Sequence, residues 1–143
     1  MSDHFSIVSG VSAVAIDGRA ILIEGKPGSG KSSLALAIID RGAMLIGDDG
    51  IRIDTSGNRS IALPPPNIAG KLEIRGVGIV ELPTGSAPIA LILDLDGSPE
   101  RLPDTLVMRT MGNVAIPVLP FDAKAPNAAL RAQWALKLHG VAF

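Results

Sequence analysis

The stretch "GKPGSGKSS", residues 25 to 33, carries the spacing G-x-x-x-x-G-K-[ST] at Gly25, Gly30, Lys31 and Ser32. In that pattern backbone N–H groups wrap a phosphate, the lysine reaches its outer oxygens and the hydroxyl holds Mg²⁺. Glycine is required because the chain bends tightly and approaches the phosphate with no Cβ in the way. The expectation is a nucleotide-phosphate cradle made of Gly25, Lys26, Pro27, Gly28, Ser29, Gly30, Lys31, Ser32 and Ser33. A plain glycine-serine connection is the alternative. The flanks argue for the cradle, because an apolar run, Ala20-Ile21-Leu22-Ile23, precedes it and the helix-forming "LALAII" follows. A helix starting near Lys31 would add its positive dipole end and unpaired N–H groups to the same anion.

A cradle alone does not separate an ATP hydrolase from a kinase, and the carboxylates near strand ends are the next clue. Asp94 and Asp96 in "IALILDLD" resemble the strand-end aspartate that holds Mg²⁺ in nucleotide hydrolases. Asp48 and Asp49, after "AMLIG", offer a division of labour: one carboxylate holds the ion while its neighbour accepts a proton from an attacking hydroxyl. Each pair also has a plainer explanation. Asp48-Asp49-Gly50 has turn composition, and Asp94 and Asp96 suit a solvated strand end.

These side chains need a frame. Residues 11 to 16 and 20 to 24 are β-rich and separated by Asp17-Gly18-Arg19, a strong hairpin signal. Residues 31 to 41 are good helix formers, with Gly42 as a stop. Residues 43 to 46 read as a short buried strand. Residues 51 to 54 and 60 to 63, joined through Ser56-Gly57-Asn58, read as a second hairpin beside the first. Pro64-Pro65-Pro66-Asn67 must be irregular, since prolines cannot donate to a ladder. In "KLEIRGVGIVEL", residues 71 to 82, Gly76 and Gly78 interrupt a strand-like sequence, and Arg75 read alone is a solvated edge residue. Further strands are expected at 89 to 95, 106 to 111 and 114 to 119. The tail from 127 to 138 has helical spacing at Leu130, Trp134 and Leu138, which reads as core or a subunit contact. The expected architecture is α/β: a single domain over residues 1 to 143 carrying the phosphate loop, its mixed sheet containing antiparallel hairpins and flanked by a few helices.

Composition narrows the partners. With 143 residues, 47% of them hydrophobic, the chain can bury one core and is short for two. Thirteen basic and 14 acidic residues give a net charge of -1, without the one-signed field that nucleic acid or an anionic membrane attracts. Absence of cysteine removes disulfides, thiolate zinc and cysteine nucleophiles. "MSDHFSIVSG" starts with Asp3 and His4 and no basic or long apolar run, and no stretch approaches the roughly 20 residues that span a bilayer, so a cytoplasmic domain is expected. His4 falls in a fraying end and His139 near a helix end, and neither is assigned to catalysis.

"LIEGKPGSGKSSLALAIIDRGAMLIGDDG" followed by "LEIRGVGIV" resembles the catalytic C-terminal domain of HPr kinase/phosphorylase. The tail "VAIPVLPFDAKAPNAALRAQWAL" is similar to the short alphaproteobacterial-type members, which lack the N-terminal domain of the longer enzymes. The resemblance implies an HPr kinase/PEP carboxykinase-like fold and an ATP- and Mg²⁺-dependent kinase acting on a serine of the phosphocarrier HPr. It also implies possession of the reverse reaction, phosphorolysis of phosphoserine. Lys31 would then reach the outer phosphates, Ser32, Asp48 and Glu73 would hold Mg²⁺, Asp49 would be the general base and Arg75 would stabilise the transferred phosphoryl group. The family assembles as hexamers. This chain departs from the pattern at Gly10, where many members have histidine, and at Ser33, usually acidic. The longer enzymes' glycine-arginine-asparagine loop is represented by Gly112-Asn113 alone.

Two other readings compete with the protein kinase. One is a nucleotide-binding regulator that keeps the cradle without catalysis. The other is a small-molecule P-loop kinase or NTPase using Asp94 for Mg²⁺, which requires Glu73-Ile74-Arg75-Gly76 to be accidental.

Overall fold

The computed structural model describes residues 4–67 and 69–143. Strands β1 (Phe5–Ser9), β2 (Val11–Ile16) and β3 (Arg19–Glu24) come first. β2 and β3 pair antiparallel from Val11 opposite Glu24 to Ile16 opposite Arg19. Both residues of their turn, Asp17 and Gly18, have positive φ (54° and 76°). That is the geometry an Asp-Gly hairpin selects, because its twist matches that of the strands.

Helix α1 (Lys31–Asp40) follows the cradle and stops at Gly42, whose φ of 105° a side chain would resist. Then come β4 (Met44–Gly47), β5 (Gly50–Asp54), β6 (Ile61–Leu63), β7 (Lys71–Ile74) and β8 (Gly78–Glu81). The chain ends in β9 (Ala87–Asp94), β10 (Val107–Met111), β11 (Val114–Pro120) and helix α2 (Ala128–His139). The main sheet runs β1-β5-β6-β9-β3-β2-β4, and β7-β8 form a separate two-stranded hairpin. Pairs β3·β9 and β9·β11 are parallel and the other strand pairs antiparallel, so the mixed α/β architecture matches expectation.

β9 organises the sheet. On one side it meets β3 along its length; on the other β6 pairs with its start, Ala87 and Pro88, and β11 with its end, Ile92 to Asp94. An extra residue at Ala90 shifts the register against β3 between Ala20 and Ile21. Such a bulge reverses which face the following side chains take. Leu91 and Leu93 thereby join Ile21 and Ile23 under the two helices, while Ile89 and Ile92 face the other layer with Ala20, Leu22, Ile51 and Ile53. The Ala90 carbonyl accepts the N–H of Val141, which ties down the tail after α2.

Several expectations need correction. The second hairpin, β5-β6, does not lie beside the first, because β9 separates β6 from β3. Residues 5 to 9 form an edge strand on β5, and the His4 carbonyl accepts the N–H of Thr55 at 2.9 Å, so this end is held by pairing. Leu130, Trp134 and Leu138 are not core: α2 buries Ala129, Ala132, Ala135 and Leu136 instead. The proline connection is irregular from Pro64 to Asn67 as expected; Asp3 and Ile68 lie outside the described residues. Gly112 and Asn113 form the two-residue turn between β10 and β11 and line neither cleft near the cradle. None of the helices described is long and apolar enough to cross a membrane.

Candidate functional site

The cradle joins the C-terminal end of β3 to α1, where a parallel strand delivers the chain to a helix N-terminus. Geometry demands glycine at Gly25 and at Gly30 for different reasons. A Cβ on Gly25 would stand 2.5 Å from Ser29 Oγ and 3.1 Å from Leu95 Cβ. Gly30, immediately before the helix, has φ 102°. The Ser29 N–H donates to the Lys26 carbonyl at 3.1 Å, closing the loop. Lys31 Nζ lies across it, donating to the carbonyls of Gly25 (2.7 Å) and Lys26 (3.1 Å). No acidic residue occupies the first turn of α1, so its positive end is left for an anion.

Beneath the helix start, three elements converge on one carboxylate. Asp48 is buried, and its Oδ1 accepts a hydrogen bond from Ser32 Oγ at 2.7 Å and from Ser12 Oγ on β2 at 2.9 Å. Asp49 is exposed and sits in the left-handed region with φ 62°. A turn with that conformation does not oblige adjacent side chains to point to opposite faces, as a regular strand does. The Asp49 carbonyl accepts the N–H of Gly10 at 3.1 Å.

A cleft of about 700 Å³ brings the chemistry together. It is lined by Pro27, Gly28, Gly30, Lys31, Ser32 and Ser33 of the cradle, by Asp48 and Asp49, and by Glu73 and Arg75. The last two arrive on the β7-β8 hairpin, which is anchored by the buried Leu72 and turned through Gly76 with φ 81°. Gly25, Lys26 and Ser29 do not line this cleft; Lys26 and Ser29 line a second one of about 270 Å³ with Asp96, Asp122 and Lys124.

The rival carboxylates serve the backbone. Asp94 Oδ1 accepts the N–H of Asp96 at 3.0 Å, and both oxygens of Asp96 lie within 3.2 Å of the Lys26 N–H. Neither lines the main cleft. Glu24, the residue before the cradle, is gripped by both terminal nitrogens of Arg109 at 2.7 Å. Hydrogen bonding to Glu24 raises the Arg109 pKa above its ordinary value.

The donor set suits a nucleotide with Mg²⁺. Among the described residues no three histidines or carboxylates gather into a cage. Mg²⁺ does not need one: it takes one or two protein oxygens and completes its octahedron with phosphate oxygens and water. Ser32 and Asp48 supply such oxygens beside a cradle that a Cβ would fill. Among the described residues Ser29 Oγ is buried without a hydrogen-bond partner. Sequence reasoning missed Ser12, although it is the one polar residue in the otherwise apolar strand "VSAVAI". It also missed Lys124, which lines both clefts from the turn after β11.

The family described as HPr Serine kinase C-terminal domain matches residues 4–85. The chain is 37% identical over 84 residues to an HPr kinase/phosphorylase of Mycoplasma genitalium, covering 57% of this chain and 27% of that protein. It is 44% identical over 69 residues to an HPr kinase/phosphorylase of Clostridium botulinum, covering 48% of this chain and 23% of that one. It therefore spans about a quarter of the length of these curated relatives. The solved Hpr(Ser) kinase/phosphatase from Coxiella burnetii superposes with a TM-score of 0.77 at 25% identity, covering 94% of this chain and 90% of that one.

Proposed function

The chain belongs to the HPr serine kinase C-terminal domain family, and from that premise we propose that it is a cytoplasmic, ATP- and Mg²⁺-dependent protein serine kinase whose acceptor is HPr. The observation that carries this reading is the single cleft shared by Lys31, Ser32, Asp48, Asp49, Glu73 and Arg75. Phosphoryl transfer asks a protein for positioning and charge neutralisation more than for covalent chemistry, and this set is sufficient.

In this reading the cradle's N–H groups hold the nucleotide phosphates. Lys31 exchanges the carbonyls of Gly25 and Lys26 for phosphate oxygens. Ser32, Asp48 and Glu73 hold the cation. Bound Mg²⁺ supplies neutralisation of charge on the bridging and terminal phosphate oxygens. Asp49 takes the proton of the serine hydroxyl as its oxygen bonds to phosphorus and the bond to ADP breaks, while Arg75 balances charge on the group in flight. In reverse, protonated Asp49 returns the proton to the serine oxygen as inorganic phosphate attacks phosphoserine and leaves as pyrophosphate.

A regulator that binds nucleotide without transfer is the second reading. Gly10, bonded to the backbone of Asp49, presents no side chain where many relatives have histidine, and a Cβ placed there would touch nothing within 4 Å. Transfer from γ-labelled ATP with Mg²⁺ to purified HPr decides between them, run beside Asp49→Asn and an HPr lacking the acceptor serine. Label on HPr that is lost in both controls is the expected result. Nucleotide binding without label selects the regulator.

A further inference from the structure

We propose that Ser12 is a positioning residue that orients the Asp48 carboxylate for its cation, an inference that rests on the phosphoryl-transfer reading of the cleft. Ser12 is fully buried on β2, in a strand whose neighbours are apolar. A hydroxyl in such a place is a cost unless its proton is used. Here it is used: Ser12 Oγ donates to Asp48 Oδ1 at 2.9 Å, inside the main cleft's lining.

The same oxygen also accepts from Ser32 Oγ at 2.7 Å, and among the described residues no other protein donor reaches this carboxylate. Two donors on Oδ1 remove the carboxylate's freedom to rotate and leave Oδ2 as the oxygen available to a cation. The arrangement also settles where the Ser32 proton goes. With that proton directed at Asp48, the lone pairs of Ser32 are left for the same cation. Ser32 belongs to α1 and moves with the cradle, whereas Ser12 belongs to the sheet. Ser12 therefore holds Asp48 whether or not the loop adjusts around phosphate.

Removal of a group that orients a metal ligand costs about tenfold or more in metal affinity. The test measures Mn²⁺ binding, by the electron paramagnetic resonance signal of free Mn²⁺, in the presence of a non-hydrolysable ATP analogue. Ser12→Ala should weaken Mn²⁺ about tenfold and leave affinity for the analogue without metal unchanged, and Ser12→Thr should restore binding. Ser12→Cys, nearly isosteric with a weak S–H donor, gives an intermediate loss and serves if the alanine variant does not fold. A merely structural role would lower analogue affinity and metal affinity together, and that result overturns the proposal. Mn²⁺ affinity within twofold of the parent protein in the alanine and cysteine variants also overturns it, as does failure of the parent to bind Mn²⁺ with the analogue. Loss of Mn²⁺ affinity in these variants, with no transfer to HPr by the parent protein, would sink the kinase reading and sustain the role of Ser12.

Discussion

A carboxylate at a strand end beside a phosphate loop can serve a cation or the loop's own backbone, and Asp96 serves the backbone. Its oxygens lie 3.0 and 3.2 Å from the Lys26 nitrogen, while the Lys26 carbonyl accepts from the Ser29 N–H and from Lys31 Nζ. One residue's peptide groups thus link the carboxylate to Lys31. Because Asp96 is exposed, the bond is a modest one. Asp96→Ala should weaken ATP about threefold with an unchanged Mg²⁺ half-saturation, and Asp96→Asn, which keeps an acceptor, should weaken it less. Fluorescence titration with an ATP analogue at several Mg²⁺ concentrations reads both quantities. A shifted Mg²⁺ dependence would return Asp96 to the role of metal ligand. Asp49 makes the opposite case, since it faces the cleft with no side-chain hydrogen bond among the described residues to hold it. Asp49→Asn should lower kcat for transfer by about a hundredfold or more while ATP affinity stays within about twofold, as loss of a general base predicts.

At the scale of elements, α2 shows how a pattern can be right about periodicity and wrong where it is read as core. Leu130, Trp134 and Leu138 recur at helical spacing, yet Leu138 is 72% exposed and Ala132 fully buried. The buried stripe is small because α2 packs closely against α1 and the sheet, with Ala35 on the facing helix in the same cluster. Close approach selects alanine, which hydrophobicity alone does not announce. Ala132→Leu should therefore destabilise by about 1–3 kcal/mol through overpacking, and Leu138→Ser should stay within about 0.5 kcal/mol. Urea unfolding at constant m measures both. What was legible follows the same logic. The Asp17-Gly18 turn, the cradle and the end of α1 are dictated by neighbours in sequence, so they could be read locally. β1 could not be, since its pairing with β5 spans more than forty residues and its Phe5 and Ile7 remain exposed. Glu73 and Arg75 entered through resemblance, because a strand-like arginine carries no local sign of a cleft. The link from Ser12 to Asp48 joins residues 36 positions apart, and no spacing rule covers it.

For the whole molecule, the question is whether the site's parts belong to one cooperative unit, as the expected single domain requires. The cradle and α1 rest on the layer containing Ile21, Ile23, Leu91 and Leu93, whereas Ile51 and Ile53 just beyond Asp48 and Asp49 belong to the opposite layer. β9 supplies both, because successive side chains of a strand point to opposite faces: Leu91 and Leu93 join the first layer and Ile92 the second. Damage to either side of β9 should then be felt by both halves of the cleft. Leu93→Ala and Ile92→Ala each empty a fully buried position and should each cost about 2–5 kcal/mol. That is a large share of the roughly 5–15 kcal/mol that holds a small domain together. Trp134, the sole tryptophan, reports on the helical layer, and far-ultraviolet circular dichroism reports on the sheet as well. In both variants the two signals should fall in one coincident transition at lower urea. A circular dichroism change in Ile92→Ala that precedes the fluorescence change would divide the chain into two units, with Lys31 and Ser32 carried by one and Asp48 and Asp49 anchored to the other. In that event the convergence of two hydroxyls on Asp48 would join separately folding parts, and transfer activity would be lost at lower urea than the fluorescence of α2.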